Sequence, residues 1–183
     1  MNNDLKKEIF SAIESVDLEK ILFITNKLLT KIRQGGKIFI CGNGGSLNDA
    51  SHFAGELLGR YNKSDAKSLP AILLSTGGAT GSAISNDFGY EFVFSRQIEG
   101  LCTNKDFLIC LSTSGRSQNI VNALNLAIKM EVDVLFLTSI KFSNDKESKH
   151  LTTLKIESKY TPAIQHAHMY VLHQICELLE NAR

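Results

Sequence analysis

Residues 37–61 decide the fold of this chain; they read Lys-Ile-Phe-Ile-Cys-Gly-Asn-Gly-Gly-Ser-Leu-Asn-Asp-Ala-Ser-His-Phe-Ala-Gly-Glu-Leu-Leu-Gly-Arg-Tyr. Residues 38–41 form a short apolar run, which predicts a buried parallel strand. Three glycines within residues 42–46 end that strand, and from about Leu47 the pattern becomes helical. A helix that follows a strand and a glycine loop offers an anion site, because its free amides and its dipole both point at the loop.

Two polar side chains, His52 and Glu56, follow the glycine loop on the predicted helix. They are four residues apart, so they project from the same face of that helix. The sequence therefore predicts a phosphate cradle beside a metal-binding or proton-transfer pair. Two simpler interpretations stay open at this point, because the loop is also compatible with a tight turn and the pair with a solvated helix surface.

The composition of the chain is that of one ordinary globular domain spanning residues 1–183. A formal net charge of +1 predicts neither a nucleic-acid partner nor binding to an anionic membrane. The four cysteines form no Cys-x-x-Cys motif, so we expect buried thiols in a reducing compartment. Residues 1–7 are unlike a signal peptide and no apolar run reaches membrane-spanning length, so we expect a cytoplasmic protein.

Helical and strand patterns alternate along the chain. The expected helices are 3–16, 18–33, 47 onward, 79–85, 91–101, 118–130 and 161–181, and the expected strands are 38–41, 70–75, 106–111, 132–138 and 154–157. We expect a turn at 86–89 and a charged loop or helix at 141–150. The alternation predicts an α/β fold in three layers, with a mainly parallel five-stranded sheet flanked by helices.

The two N-terminal helices, within residues 3–33, carry a wide apolar stripe before the first strand begins. So much apolar surface needs a partner. Part of it can pack on the sheet, and the rest indicates a contribution to a subunit interface.

The loop after the third predicted strand, residues 112–117, is rich in hydroxyl groups, which come from Ser112, Thr113, Ser114 and Ser117. Ligands of parallel sheets bind beyond the carboxyl ends of the strands, where this loop lies. Its hydroxyl and amide donors suit a phosphomonoester without a lysine. A serine that only caps the next helix is the simpler interpretation, but capping needs one hydroxyl and the loop supplies four.

The last predicted helix carries Gln165, His166, His168 and His173, and so holds three of the five histidines of the chain. Such a cluster indicates a metal or acid–base role, although a surface cluster without function stays open. Helix geometry aligns His166 best with His173, and it also brings Gln165 and His173 to one side.

These motifs, in this order, resemble those of the phosphoheptose isomerases, which are sugar isomerase (SIS) domain proteins. The resemblance begins with the glycine loop and the His52–Glu56 pair, and continues through Asn-Asp-Phe-Gly at 86–89, Ser-Thr-Ser-Gly at 112–115 and the C-terminal Gln165, His168 and His173. It covers nearly the whole chain. The family converts sedoheptulose 7-phosphate to glycero-manno-heptose 7-phosphate, the first step towards activated heptose for lipopolysaccharide or capsule.

The resemblance implies a SIS sandwich in a homotetramer, with sites at subunit interfaces and one zinc ion per subunit. It implies zinc ligation by His52, Glu56, Gln165 and His173. It implies substrate contacts from Asn43, Gly44, Gly45, Ser46, Glu56, Asn86, Asp87, Ser112, Thr113, Ser114, Ser117 and Gln165. We expect Glu56 to remove a carbon proton and His173 to move the proton on the other side of an enediolate, while zinc polarises the carbonyl.

The chain departs from the family pattern at two places. Thr76-Gly77-Gly78 stands where relatives usually carry an acidic residue after threonine, which bears on the sugar pocket. Pro162-Ala163-Ile164-Gln165-His166 replaces the usual Ala-Arg-Ile-Gln-Glu, which bears on interface pairing and sugar preference. His166 is a competing candidate ligand, although the resemblance favours Gln165.

Two alternative functions come from the same fold. A non-catalytic SIS binding module, the bacterial replication initiator-associating protein, is similar in length and keeps both loops but lacks the glutamate and the final histidine. The presence of Glu56 and His173 therefore favours an enzyme. Arabinose 5-phosphate isomerases usually carry regulatory domains, for which 183 residues leave no room.

Overall fold

A parallel sheet forms the middle layer of the fold. The structure, a computed structural model, describes residues 3–143 and 148–182. Its strands are β1 (Ile38–Gly42), β2 (Ala71–Leu73), β3 (Phe107–Leu111), β4 (Asp133–Ser139) and β5 (Leu151–Ile156). They pair in the order β2-β1-β3-β4-β5, and every pairing is parallel. The predicted α/β fold with a five-stranded sheet is confirmed.

Helices cover both faces of this sheet. Within the described residues they are α1 (Asn3–Glu14), α2 (Leu18–Arg33), α3 (Gly45–Leu58), α4 (Gly78–Phe88), α5 (Val93–Leu101), α6 (Gln118–Lys129) and α7 (Thr161–Asn181), with a 3-10 turn at Tyr90–Phe92. Helices α1, α2, α3 and α7 bury their apolar residues on one face, and α5 and α6 on the other.

The alternation of side chains along β1 divides the core into two layers. Ile38 and Ile40 face the α3 and α7 side, whereas Phe39 and Cys41 face the α5 and α6 side. All four are fully buried. A strand covered on both faces must be apolar at every position, which is why residues 38–41 read as a continuous apolar run.

The structure corrects the predicted turn at 86–89. Asn86, Asp87 and Phe88 belong to the last turn of α4, which ends at Gly89 with a φ of +98°. Gly89 therefore acts as a helix-ending residue, since a positive φ suits glycine and stops an α-helix. Likewise, α3 begins at Gly45, two residues before the expected start.

The two edge strands also differ from their predicted bounds. β2 is shorter than the predicted 70–75 and ends at Leu73. Beyond it, Ser75 N donates to Gln97 Oε1 at 3.0 Å, and Gln97 Nε2 donates to Ser75 O at 2.8 Å. β5 begins at Leu151, three residues before the expected 154. Within the charged segment 141–150, the described residues form no helix, and residues 144–147 lie outside the described part.

Cys41, Cys102, Cys110 and Cys176 are all buried thiols, as the sequence predicts. None of the helices in the described ranges is both long and apolar enough to cross a bilayer.

Candidate functional site

The glycine loop and the hydroxyl-rich loop lie side by side because β1 and β3 are paired. Gly42 at the end of β1 is in register with Leu111 at the end of β3. Both chains therefore leave the sheet at the same edge and start their next helices, α3 and α6, next to one another. This is the edge at which parallel sheets bind ligands.

The glycine loop presents backbone rather than side chains. Gly44 is the N-cap residue of α3 with a φ of +54°, and no side chain caps this helix. The N–H groups of Leu47 and Asn48 bond back to the Gly44 carbonyl. Residues Gly45 and Ser46, which precede them, carry the first amides of α3, and such amides have no partner within a helix. The local geometry therefore suits an anion.

The hydroxyl-rich loop is held by its own backbone. Ser112 is buried, and its Oγ accepts from Gly115 N at 3.1 Å, while Ser114 Oγ accepts from Arg116 N at 3.2 Å. The Thr113 carbonyl accepts a 2.7 Å hydrogen bond from Ser139. Ser117 is the N-cap residue of α6, yet its side chain makes no capping hydrogen bond. Capping therefore does not account for the Ser117 hydroxyl.

The predicted Asn86–Asp87 pair lies in the last turn of α4. Asn86 and Asp87 are both exposed, and Asn86 Nδ2 donates to Asp87 Oδ1 at 2.8 Å. The nearby Tyr90 hydroxyl donates to Asn43 Oδ1 at 2.9 Å. This bond joins the 3-10 turn that follows α4 to the glycine loop.

His52, Glu56 and His173 come together within one chain. His52 Nε2 lies 3.0 Å from His173 Nε2 and 3.4 Å from Glu56 Oε1. The Tyr61 ring packs beside His173, with its centroid 5.6 Å from that of the imidazole. α3 supplies His52 and Glu56, and α7, which packs along α3, supplies His173. A carboxylate and an imidazole thus flank one histidine.

Three electron-rich atoms, His52 Nε2, His173 Nε2 and Glu56 Oε1, lie close together, but few hydrogen atoms are available to form hydrogen bonds between them. The Glu56 carboxylate only accepts, and a neutral imidazole nitrogen carries either a hydrogen or a lone pair. One Nε2 hydrogen on His52 cannot serve both Glu56 and His173 with good geometry. Atoms of this kind suit a shared cation, and two ligands of a tetrahedral zinc are roughly 3.3 Å apart.

The side chains do not enclose a finished metal site. Among residues 3–143 and 148–182, no set of three or more His, Cys, Asp or Glu side chains is arranged to hold a metal ion. The His52 and His173 nitrogens face each other directly instead. The spacing and the donor types fit a cation, whereas the side-chain directions are those of a hydrogen-bonded pair.

The pKa of His173 is lowered from its ordinary value. Burial is the largest cause, and the neighbouring His52 adds to it, while the Glu56 carboxylate acts in the opposite direction. Burial and a second imidazole both disfavour the charged form. The arrangement therefore favours a neutral His173 that can exchange a proton.

Gln165 lies apart from this trio. Its amide packs against the Cα of Gly45, where any side chain on residue 45 would collide with it. Gln165 precedes His173 by eight residues on α7, which is about 12 Å along a helix axis. A cavity of about 370 Å³ next to it is lined by Gly45, Asn48, Asp49, Pro162, Gln165, His166 and Met169. Gln165 thus borders the glycine loop.

Three residues that the sequence interpretation did not single out contact this region. Asn119 pairs with Asn43, and Tyr90 joins them. Glu180 accepts from the backbone N–H groups of residues 61–63, at 2.9 to 3.2 Å. Burial alone raises the pKa of the Glu180 carboxyl, but these hydrogen bonds outweigh it and leave the pKa below its ordinary value. Of these three residues, only Asn119 had a local signal in the sequence, because it lies in the first turn after the hydroxyl-rich loop.

The chain is similar to known proteins in both sequence and fold. Residues 4–139 match the model of the SIS domain family. The phosphoheptose isomerase of Campylobacter concisus is 39% identical over 183 residues, which cover 100% of this chain and 96% of the relative. The solved phosphoheptose isomerase of Francisella tularensis superposes with a TM-score of 0.89 at 28% identity, over 98% and 96% of the two chains. That of Neisseria gonorrhoeae gives a TM-score of 0.85 at 30% identity, over 97% and 95%. The chain belongs to the phosphoheptose isomerases, within the SIS domain family.

Proposed function

We propose that this protein is an aldose–ketose isomerase that converts D-sedoheptulose 7-phosphate to D-glycero-D-manno-heptose 7-phosphate, the first step of activated-heptose synthesis for lipopolysaccharide or capsule. Membership of the phosphoheptose isomerases supports this reaction. The observation that carries it in the structure is the contact of His52 with both Glu56 and His173. An isomerase needs two proton-transfer groups around one sugar carbonyl, and this contact supplies a carboxylate and an imidazole.

In the proposed mechanism Glu56 removes the proton from C1 of the ketose, which gives an enediolate. His173, on the other side of that intermediate, moves the hydroxyl proton from O1 to O2, and return of the carbon proton from Glu56 to C2 completes the aldose. The lowered pKa of His173 favours the neutral imidazole, which is the form that both a metal ligand and a proton acceptor require.

Phosphate binding is assigned to the two loops at the sheet edge. The amides of Gly44, Gly45 and Ser46, and the hydroxyls of the loop 112–117, surround the helix N-termini of α3 and α6. The Ser117 hydroxyl makes no capping hydrogen bond to α6, which supports this assignment. Anchoring the phosphate far from the reacting carbons supplies binding energy that positions the sugar. Asn86 and Asp87, at the end of α4, are proposed to contact the sugar hydroxyls.

The proposed cofactor is one zinc ion held by His52, Glu56, Gln165 and His173. The contacts of His52 with Glu56 and with His173 support the choice, and Gln165 is included on the resemblance alone. When bound, zinc supplies Lewis-acid polarisation of the sugar carbonyl.

A homotetramer is proposed from the surface of the N-terminal helices. Four apolar side chains of α1 and α2 are more than half exposed, namely Phe10, Leu18, Leu22 and Phe23. An apolar surface of this kind favours a subunit interface. The buried thiols support a reducing compartment, and we therefore place the enzyme in the cytoplasm.

The test is incubation of the purified protein with sedoheptulose 7-phosphate, followed by NMR detection of the aldose. We expect turnover by the zinc-loaded protein, loss of turnover with a chelator, and recovery when zinc is added back. A zinc-loaded protein that binds phosphate but forms no aldose would leave only a phosphosugar-binding domain.

A further inference from the structure

Two asparagines from different loops form a reciprocal pair at the sheet edge. Asn43 lies directly after β1, and Asn119 lies in the first turn of α6. Asn43 Nδ2 donates to Asn119 Oδ1 at 2.9 Å, and Asn119 Nδ2 donates to Asn43 Oδ1 at 2.9 Å. Asn119 is only 3% exposed. The pair therefore joins the glycine loop to the helix that follows the hydroxyl-rich loop.

A backbone group fixes the orientation of both amides. Ile120 N donates to Asn119 Oδ1 at 2.9 Å. A backbone N–H can only donate, so the Asn119 atom that faces it must be the oxygen. The Asn119 nitrogen then points at Asn43, which must present its own oxygen to it. The direction of every hydrogen bond in the pair follows from the single Ile120 N–H.

Tyr90 completes the hydrogen bonding of Asn43. Its hydroxyl lies 2.9 Å from Asn43 Oδ1, and it must donate because that atom is an oxygen without a hydrogen. Asn43 Oδ1 thus accepts from both Tyr90 and Asn119, which uses both of its lone pairs. Of the polar groups of the Asn43 side chain, one Nδ2 hydrogen is left for a ligand.

We propose that Asn119 and Tyr90 are positioning residues, which hold the Asn43 side chain so that it meets the substrate only as a hydrogen-bond donor. This inference rests on the proposed function, because it assumes that the edge between the two loops binds a phosphosugar. A fixed donor suits an oxygen that only accepts, such as a phosphate or carbonyl oxygen. The same bonds also set the distance between the glycine loop and α6.

The primary test is Asn119→Ala. Asn43 then loses two hydrogen bonds and can rotate, so we expect KM for sedoheptulose 7-phosphate and Kd for inorganic phosphate each to rise about tenfold, with kcat within about twofold of wild type. A variant that merely folds less well contains fewer active molecules, so its apparent kcat falls while KM stays unchanged. An unchanged KM would therefore overturn the proposal.

Tyr90→Phe provides a second variant in which folding is not at risk, because Tyr90 is 49% exposed. Losing one hydrogen bond is expected to raise KM about threefold. The control is Asn181→Ala, which removes an exposed asparagine amide at the end of α7 that bonds Glu177 Oε1 at 3.2 Å. We expect it to keep the wild-type KM.

Phosphate binding, measured by isothermal titration calorimetry, tests the positioning of Asn43 separately from the isomerase activity because it needs no turnover. Weaker phosphate binding by Asn119→Ala in a protein whose wild type forms no aldose would support positioning and contradict the proposed function. An active wild type whose Asn119→Ala and Tyr90→Phe variants keep the original KM and phosphate Kd would contradict positioning alone.

Discussion

The Nε2 atoms of His52 and His173 lie 3.0 Å apart, although 121 residues separate them in the chain. α3 and α7 run along each other over the sheet face that buries the larger core cluster. Their packing fixes where the two imidazoles meet, and Glu56, one turn beyond His52, lies at the same point. The proposed chemistry therefore depends on the contact between two helices rather than on a mobile loop.

Replacing Glu56 by Gln keeps the shape of the side chain but removes its ability to accept a carbon proton. We expect kcat for the isomerisation to fall at least about 100-fold, since a positioned general base contributes about that much or more. Phosphate binding should be unchanged, because the loops at the start of α3 and α6 are untouched. NMR kinetics and calorimetry measure the two quantities.

The control for this substitution is Glu99→Gln, which alters an exposed glutamate paired with Arg96 on α5. It should retain wild-type turnover. Substantial isomerase activity in Glu56→Gln would show that another group removes the carbon proton.

Zinc content provides a prediction that needs no activity assay. His52→Ala removes the nitrogen that contacts both Glu56 and His173, so we expect bound zinc to drop from about one to well below half an equivalent per chain after dialysis. Atomic absorption measures this content. His166→Ala is the matched control, because the His166 ring is exposed and bonds the Pro162 carbonyl of its own helix. Loss of zinc in His166→Ala, with retention in His52→Ala, would identify His166 as the ligand.

Oligomer formation can be tested on α2. Leu22 is 51% exposed, and Leu22→Lys places a charge in the middle of the apolar surface of the N-terminal helices. We expect light scattering after size exclusion to show a shift from tetramer to smaller species, because burying an unpaired charge is costly. The control is Leu101→Lys on α5, at an equally exposed leucine (53%) away from α1 and α2. A tetramer that survives Leu22→Lys would place the interface elsewhere.

The elements that the sequence predicted well are those with strong local signals. β1 is apolar at every position, and α7 starts at Thr161 with a proline in its first turn, so each boundary follows from neighbouring residues. The end of α4 was predicted wrongly, because Asn86, Asp87 and Gly89 are typical turn residues. The structure uses Gly89 to end a helix that includes the other two.

Pairings between distant parts of the chain had no such local signal. Asn43 and Asn119 are separated by 76 residues, and nothing in either neighbourhood indicates the other. Asparagine also suits turns, caps and solvent equally well. The juxtaposition of His52 with His173 was expected only from the family resemblance, since helix periodicity places a residue on a face but does not say which helix that face meets.

The stability of the protein should depend on pH through His168, which lies in α7 and is fully buried. Its Nε2 donates to the Thr138 carbonyl at 3.1 Å, since a carbonyl only accepts, and its Nδ1 has no partner among the described residues. Burial lowers the pKa of this imidazole from 6.5 to about 4, and the hydrogen bond to Thr138 opposes the shift only in part. The folded protein therefore keeps His168 neutral where the unfolded chain is already protonated.

This difference in bound protons determines how the free energy of unfolding changes with pH. Between pH 6.5 and about 4 the unfolded state binds one more proton at His168, so the free energy of unfolding falls as the pH falls, by about 3 kcal/mol over the whole window. His168→Gln retains a donor for the Thr138 carbonyl but does not titrate, so urea unfolding at pH 7 and pH 4.5 should show a smaller loss of stability than in wild type. His166→Gln, on the exposed face of the same helix, is the control and should keep the wild-type loss. Equal losses in His168→Gln and wild type would mean that other groups cause the acid sensitivity.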